Sequence, residues 1–79
     1  MTLENRILRD LIAGQSTARS TADRLGIDAK AAEVVMDRLV KEGTLLILII
    51  EDTITVYRLT PATRQAIADA GRFHQQQTA

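Results

Sequence analysis

Few side chains in this 79-residue sequence can do covalent or metal chemistry, and their spacing keeps them apart. There is no cysteine, which excludes disulfides, thiolate metal sites and a cysteine nucleophile. The single histidine, His74, opens the polar run Gln75-Gln76-Gln77-Thr78-Ala79, and no second imidazole exists to complete a metal site. Hydroxyls gather at Ser16, Thr17, Ser20 and Thr21, but no histidine or lysine is placed to activate them. Helix capping accounts better for Ser16 and Thr17. The glycines occur singly, so no phosphate-cradling loop is formed. The expectation is a protein without catalytic residues, metal or cofactor.

The charged side chains remain. Ten basic residues cancel ten acidic ones, so no global field draws the chain to nucleic acid or to an anionic membrane. Only Tyr57 and Phe73 are aromatic, too few to build a stacking platform for single strands. Met1-Thr2-Leu3-Glu4-Asn5-Arg6 lacks the basic-then-apolar order of a signal peptide. The longest apolar run, Leu45 to Ile50, is six residues against the roughly 20 that span a bilayer. A cytoplasmic protein with no membrane partner is expected.

The elements that must position these charges follow from periodicity. Leu3, Ile7, Leu8, Leu11 and Ile12 recur at helical spacing, with Thr2 as cap and Gly14 as a left-handed stop. Ser16-Thr17 begins a short second helix that reaches Leu25 and breaks at Gly26. Asp28 caps a third, whose stripe is Ala32, Val35, Met36, Leu39 and Val40 and whose end is Gly43. Asp37 and Lys41 stand four apart on it, the spacing of a helix-surface pair. Thr44 to Ile50 and Thr53 to Leu59 read as a β-hairpin turning at Glu51-Asp52, with or without Thr53 in the turn. Thr60-Pro61 starts a fourth helix, carrying Ala62, Ala66 and Ile67 on its apolar side and closed by Gly71; residues 72–79 read as a polar tail.

Two stretches carry a family pattern. Ala22-Asp23-Arg24-Leu25-Gly26-Ile27-Asp28, continued by Ala32, Met36, Leu39 and Gly43, is one; Tyr57-Arg58-Leu59-Thr60-Pro61-Ala62-Thr63-Arg64 is the other. Together they resemble the winged helix-turn-helix family, and in particular its MarR- and PadR-like regulators, over residues 3–71. The resemblance implies a mainly α fold: a three-helix cluster, a two-stranded wing and a C-terminal helix. It also implies a bacterial or bacteriophage transcriptional regulator that binds double-stranded DNA as a homodimer, with the third helix in the major groove.

Carried over by position, the groove-facing residues are Ala29, Lys30, Ala31, Glu33, Val34, Asp37 and Arg38, with Arg19 and Ser20 near the backbone. Lys30 and Arg38 would meet phosphate or guanine, Arg19 would meet phosphate, Glu33 could accept from cytosine, and Val34 completes the contact set. The sequence departs from the pattern at the wing tip, where Glu51 and Asp52 stand in place of Arg or Lys and would repel phosphate. Thr21 occupies a position that is usually a bulky aliphatic, which suggests a loosely packed second helix.

The hairpin is apolar on both faces. With Tyr57 and Leu59 toward the core, Ile54 and Val56 face away from it. A three-residue turn sets Leu46, Leu48 and Ile50 beside them, and a two-residue turn sets Leu45, Ile47 and Ile49 there. That outer face is expected to be a protein interface of Leu46, Leu48, Ile50, Ile54 and Val56, most simply between two copies; the alternative is that the first or last helix covers it. A second function follows from it, a protein-interaction module such as a phage inhibitor or assembly component.

Overall fold

The computed structural model describes the backbone of residues 2–78 and the side chains of residues 2–70. The order is α1 (Leu3–Ile12), α2 (Ala18–Leu25), α3 (Ala29–Lys41), β1 (Leu45–Ile50), β2 (Ile54–Leu59) and α4 (Pro61–Thr78). This is the winged-helix architecture, mainly helical with one antiparallel hairpin.

Local chemistry sets most boundaries. Thr2, Thr17 and Asp28 cap the first three helices by accepting the backbone N–H of Asn5, Ser20 and Ala31. Thr60 does the same for Thr63 and also reaches the carbonyls of Gly43 and Thr44, tying the start of α4 to the start of β1. Gly26 ends α2 at φ 69° and ψ 35°, a left-handed turn that brings α3 back across α2. Two ends differ from expectation. Ala13, in a right-handed conformation, caps α1, and Gly14 lies beyond it at φ 151°. The α4 backbone runs through Gly71 to Thr78, because one glycine costs only about 1 kcal/mol in a helix and alanine and glutamine on either side favour it. The side chains of Phe73 and His74 lie outside those described.

The core is small and continuous. Ile7 and Leu11 of α1, Ala22 of α2 and Ala32, Met36 and Leu39 of α3 are buried together with Leu45, Tyr57 and Leu59 of the hairpin. Leu25, Ile27, Val35, Val40 and Ile67 pack around them.

Thr21 does not loosen α2. It is fully buried, and its hydroxyl donates to Ser16 Oγ at 3.0 Å. Ser16 Oγ also accepts from Arg24 at 2.6 Å and donates to the Thr17 carbonyl, so this buried hydroxyl pair is satisfied. Arg24 in turn grips Asp10 through two bonds of 2.8 and 2.7 Å. A polar network thus stands where an aliphatic contact was expected, joining α1 to α2.

The hairpin register pairs Leu46 with Arg58, Leu48 with Val56 and Ile50 with Ile54, leaving Glu51, Asp52 and Thr53 as a three-residue turn. Leu46, Leu48, Ile50, Ile54 and Val56 therefore share the outer face. Val56, however, is only 5% exposed, and Leu46 and Leu48 are half-buried. α1 packs on β2, so the first helix covers part of this face; separately, Ser16 exchanges two backbone hydrogen bonds with Tyr57, at 3.0 and 2.8 Å. That bridge gives β2 a second backbone neighbour at Tyr57. Val56 is thus part of the fold rather than an open contact, and of the outer set only Ile50 and Ile54 are well exposed.

Candidate nucleic-acid interface

The first turns of α3 present Ala29, Lys30, Ala31, Glu33 and Val34 to solvent. Val34 is 59% exposed on this face. The Asp28 cap fixes where this face begins, and the buried Ala32, Met36 and Leu39 hold the opposite face on the core. Arg19 and Ser20 are exposed at the start of α2, and the backbone N–H of Ser20 is held by the Thr17 cap.

The cations on this surface are largely engaged within the chain. Lys30 lies 3.9 Å from Glu33. Arg38 turns toward α1, where it meets Glu4 at 3.2 Å, and it lies 3.9 Å from Glu42. The structure therefore groups Lys30, Glu33 and Val34 on one exposed face, and sets Arg38 toward α1. Among the described residues, Arg19, Lys41 and Arg58 carry neither an ion pair nor a side-chain hydrogen bond, whereas Arg6 and Arg64 bond the carbonyls of Leu25 and Ile12. Exposed pairs such as these are worth only about 0–1 kcal/mol, so a phosphate can displace them.

Asp37 lies elsewhere. Instead of pairing with Lys41, its carboxylate accepts the Tyr57 hydroxyl at 2.6 Å, joining α3 to β2. Burial pushes the Tyr57 phenol well above its ordinary range, and the hydrogen bond to Asp37 and the charges of Asp37 and Glu33 push the same way. Asp10 shifts in the opposite sense: the Arg24 hydrogen bond holds its carboxyl below the usual carboxylate range, against the opposing effect of burial.

Sequence reasoning missed the Tyr57–Asp37 and Asp10–Arg24 links, because each joins elements far apart in the chain. A half-polar helix face opposite a lone tyrosine was the available signal for the first. No three side chains among His, Cys, Asp and Glu converge as metal ligands among the described residues. No helix among those residues is long and apolar enough to cross a membrane.

By sequence, no family model and no curated protein matches the chain. By structure, three bacterial regulators are similar. A double mutant of ZitR from Lactococcus lactis superposes with a TM-score of 0.79 at 18% identity, over 96% of this chain and 54% of that one. A MarR family transcriptional regulator from Silicibacter pomeroyi gives 0.79 at 22% identity, over 99% and 54%. A MarR mutant from E. coli gives 0.73 at 23% identity, over 95% and 56%. The chain spans a little over half the length of each. What they share is architecture: the chain folds as a MarR-like winged-helix domain.

Proposed function

We propose that the chain is a double-stranded-DNA-binding domain of a bacterial or bacteriophage transcriptional regulator and acts as a homodimer. The observation that carries this reading is the uncovered face of α3, with Lys30, Glu33 and Val34, together with the exposed Arg19 of α2, in a fold whose solved neighbours are transcriptional regulators. Lys30 and Arg19 would contact phosphate, Glu33 would accept from a cytosine amine, and Val34 would meet a thymine methyl. Arg38 joins them only if DNA draws it from Glu4 and Glu42. Fluorescence anisotropy with a random duplex at low salt tests this. Binding that weakens several-fold in Lys30→Ala and in Arg19→Ala supports it, and no binding at low salt overturns it.

A second reading is favoured by the hairpin, a protein-interaction module whose contacts are apolar. Ile50 and Ile54 remain exposed on the outer face, at the tip end of the Leu46 and Leu48 row. The same patch is the dimer surface of the first reading. Sedimentation of Ile54→Glu tests it: a folded variant that stays in the wild-type oligomeric state removes the outer face as a contact between copies.

A further inference from the structure

The free edge of β1 carries a feature that neither DNA binding nor the outer face uses. In an antiparallel ladder, facing residues alternate between pairs that exchange both backbone hydrogen bonds and pairs that exchange none. Tyr57 gives both of its backbone groups to Ser16, at 3.0 and 2.8 Å, so it exchanges none with the facing Ile47. Val56–Leu48 and Ile54–Ile50 are then the bonded pairs, and Thr55–Ile49 again is not. Ile47 and Ile49 therefore turn both N–H and C=O away from β2. No other segment bonds these groups among the described residues.

Nothing defends this edge. β1 runs Leu-Leu-Ile-Leu-Ile-Ile over six residues with no charge, no proline and an unbroken register, whereas edge strands are usually blunted by lysine, proline or a bulge. The side chains beside the open backbone are exposed as well, Ile47 at 39% and Ile49 at 66%. An uncharged strand gives a charged partner nothing to read, but it is complementary to itself. A second copy turned about a two-fold axis sets aliphatic against aliphatic on both faces of the joined sheet. The pairing also closes, because the sheet then ends on the Ser16 side of each copy and no open apolar edge is left to add a third.

We infer that β1 pairs antiparallel with β1 of a second copy, about a two-fold axis at Leu48. Ile47 exchanges both backbone hydrogen bonds with the partner's Ile49, and Ile49 does the same with the partner's Ile47. Leu48 faces the partner's Leu48, which makes the outer rows of the two copies one continuous surface. This inference rests on the homodimer proposed above, but on neither a face-to-face contact nor DNA. The bonds are made by main chain, so Ile49→Thr, an exchange of one strand-forming residue for another, leaves them in place.

The test uses the whole chain, labelled with nitrogen-15, in a dilution series with and without a DNA duplex. Sedimentation should give a dimer, and the amides of Ile47 and Ile49 should exchange about tenfold or more slowly in it than in the diluted single chain. Ile47→Pro removes a donor that no bond within the chain uses, and proline is tolerated where a strand's N–H faces outward. It should keep the wild-type circular dichroism and sediment as a single chain. The second variant, Ile47→Lys with Ile49→Lys, keeps the backbone and sets like charges side by side only in the pair, so it too should be monomeric. Ile54→Glu should stay dimeric, since Ile54 lies on β2, away from the edge. The inference is overturned if either folded edge variant keeps the wild-type dimer, or if the Ile47 and Ile49 amides exchange in the dimer as fast as in the single chain. It is likewise overturned if their protection appears in a single chain on adding duplex, which would give the edge to DNA. A wild type that stays a single chain throughout removes the homodimer itself, whereas a dimer that survives both edge variants but not Ile54→Glu removes the edge pairing alone.

Discussion

Isoleucine does opposite work at the two ends of this molecule. Ile7 is wholly buried between α1, α3 and the hairpin base, whereas Ile49 stands two-thirds exposed near the wing tip at 66%. The helical end uses its aliphatic side chains to make one core, and the hairpin end uses them to make surface. Residue type alone cannot separate these uses, because both positions are isoleucine. The difference lies in neighbours: β2 is flanked on both sides near its base, by β1 and Ser16, while beyond Tyr57 it has β1 alone.

The largest effect that contrast predicts is in the core. Leu39→Ala should cost about 2–5 kcal/mol in urea unfolding, since Leu39 is fully buried and its cavity cannot refill from so thin a core. That is a large part of the about 4–12 kcal/mol expected for a chain of this length. Ile49→Thr should change stability by less than about 0.5 kcal/mol. Comparable losses at both positions would show that the hairpin tip is packed in solution and would erase the contrast.

The next effect tests the polar links that hold the helices together. Asp10→Asn should destabilise by about 1–2 kcal/mol by removing the charge-assisted bonds to Arg24. Because the folded carboxyl is held below its unfolded value, its contribution is present above about pH 4 and is lost as pH falls through the folded pKa. Acid titration of stability should therefore be shallower below pH 4 in the asparagine variant than in wild type. Equal slopes would show that Asp10 is not the carboxylate concerned.

Tyr57→Phe should cost about 1 kcal/mol, less than the Asp10 change, because Asp37 is half-exposed and can be rehydrated. The chain has a single tyrosine, so its phenolate absorbance is read directly. It should appear only above the ordinary value of about 10. The raised folded pKa means that this stabilisation is complete below the unfolded value and is lost as pH rises toward the folded one. An ordinary titration would show the tyrosine to be open to water, and α3 would then not be tied to the hairpin.

A smaller effect, of opposite sign, is expected at the turn. Glu51 and Asp52 both hold positive φ, 54° and 62°, in a region that costs most side chains roughly 1 kcal/mol. Replacing them together by Asn-Gly should raise stability by about 0.5–1 kcal/mol with the hairpin register unchanged. A loss of stability would mean that the acidic pair makes contacts of its own.

The sequence carried the helices well because capping is local. Thr2, Thr17, Asp28 and Thr60 each sit a few residues from the amide they hold, and Gly26 announces its own left-handed turn. The hairpin register was open between two alternatives, since both faces are apolar and alternation gives no sign. The role of Ser16 was hidden for another reason. Its backbone pairs with Tyr57 and its hydroxyl serves Thr21 and Arg24, partners that only the closed fold brings near. Of the interface residues, Lys30, Glu33 and Val34 follow from one helix face. The turning of Arg38 toward Glu4 does not, because Glu4 lies at the other end of the chain's helical cluster.

DNA binding by the α3 face is tested directly by the salt dependence of duplex binding. If Lys30 and Arg19 each displace one counterion, log K against log salt should slope by about −2 per chain, about a tenfold loss between 50 and 200 mM, and by about −4 if two chains bind together. That slope should be halved in Lys30→Ala. A slope near zero, or one unaltered in Lys30→Ala, would contradict the assignment of this face to DNA.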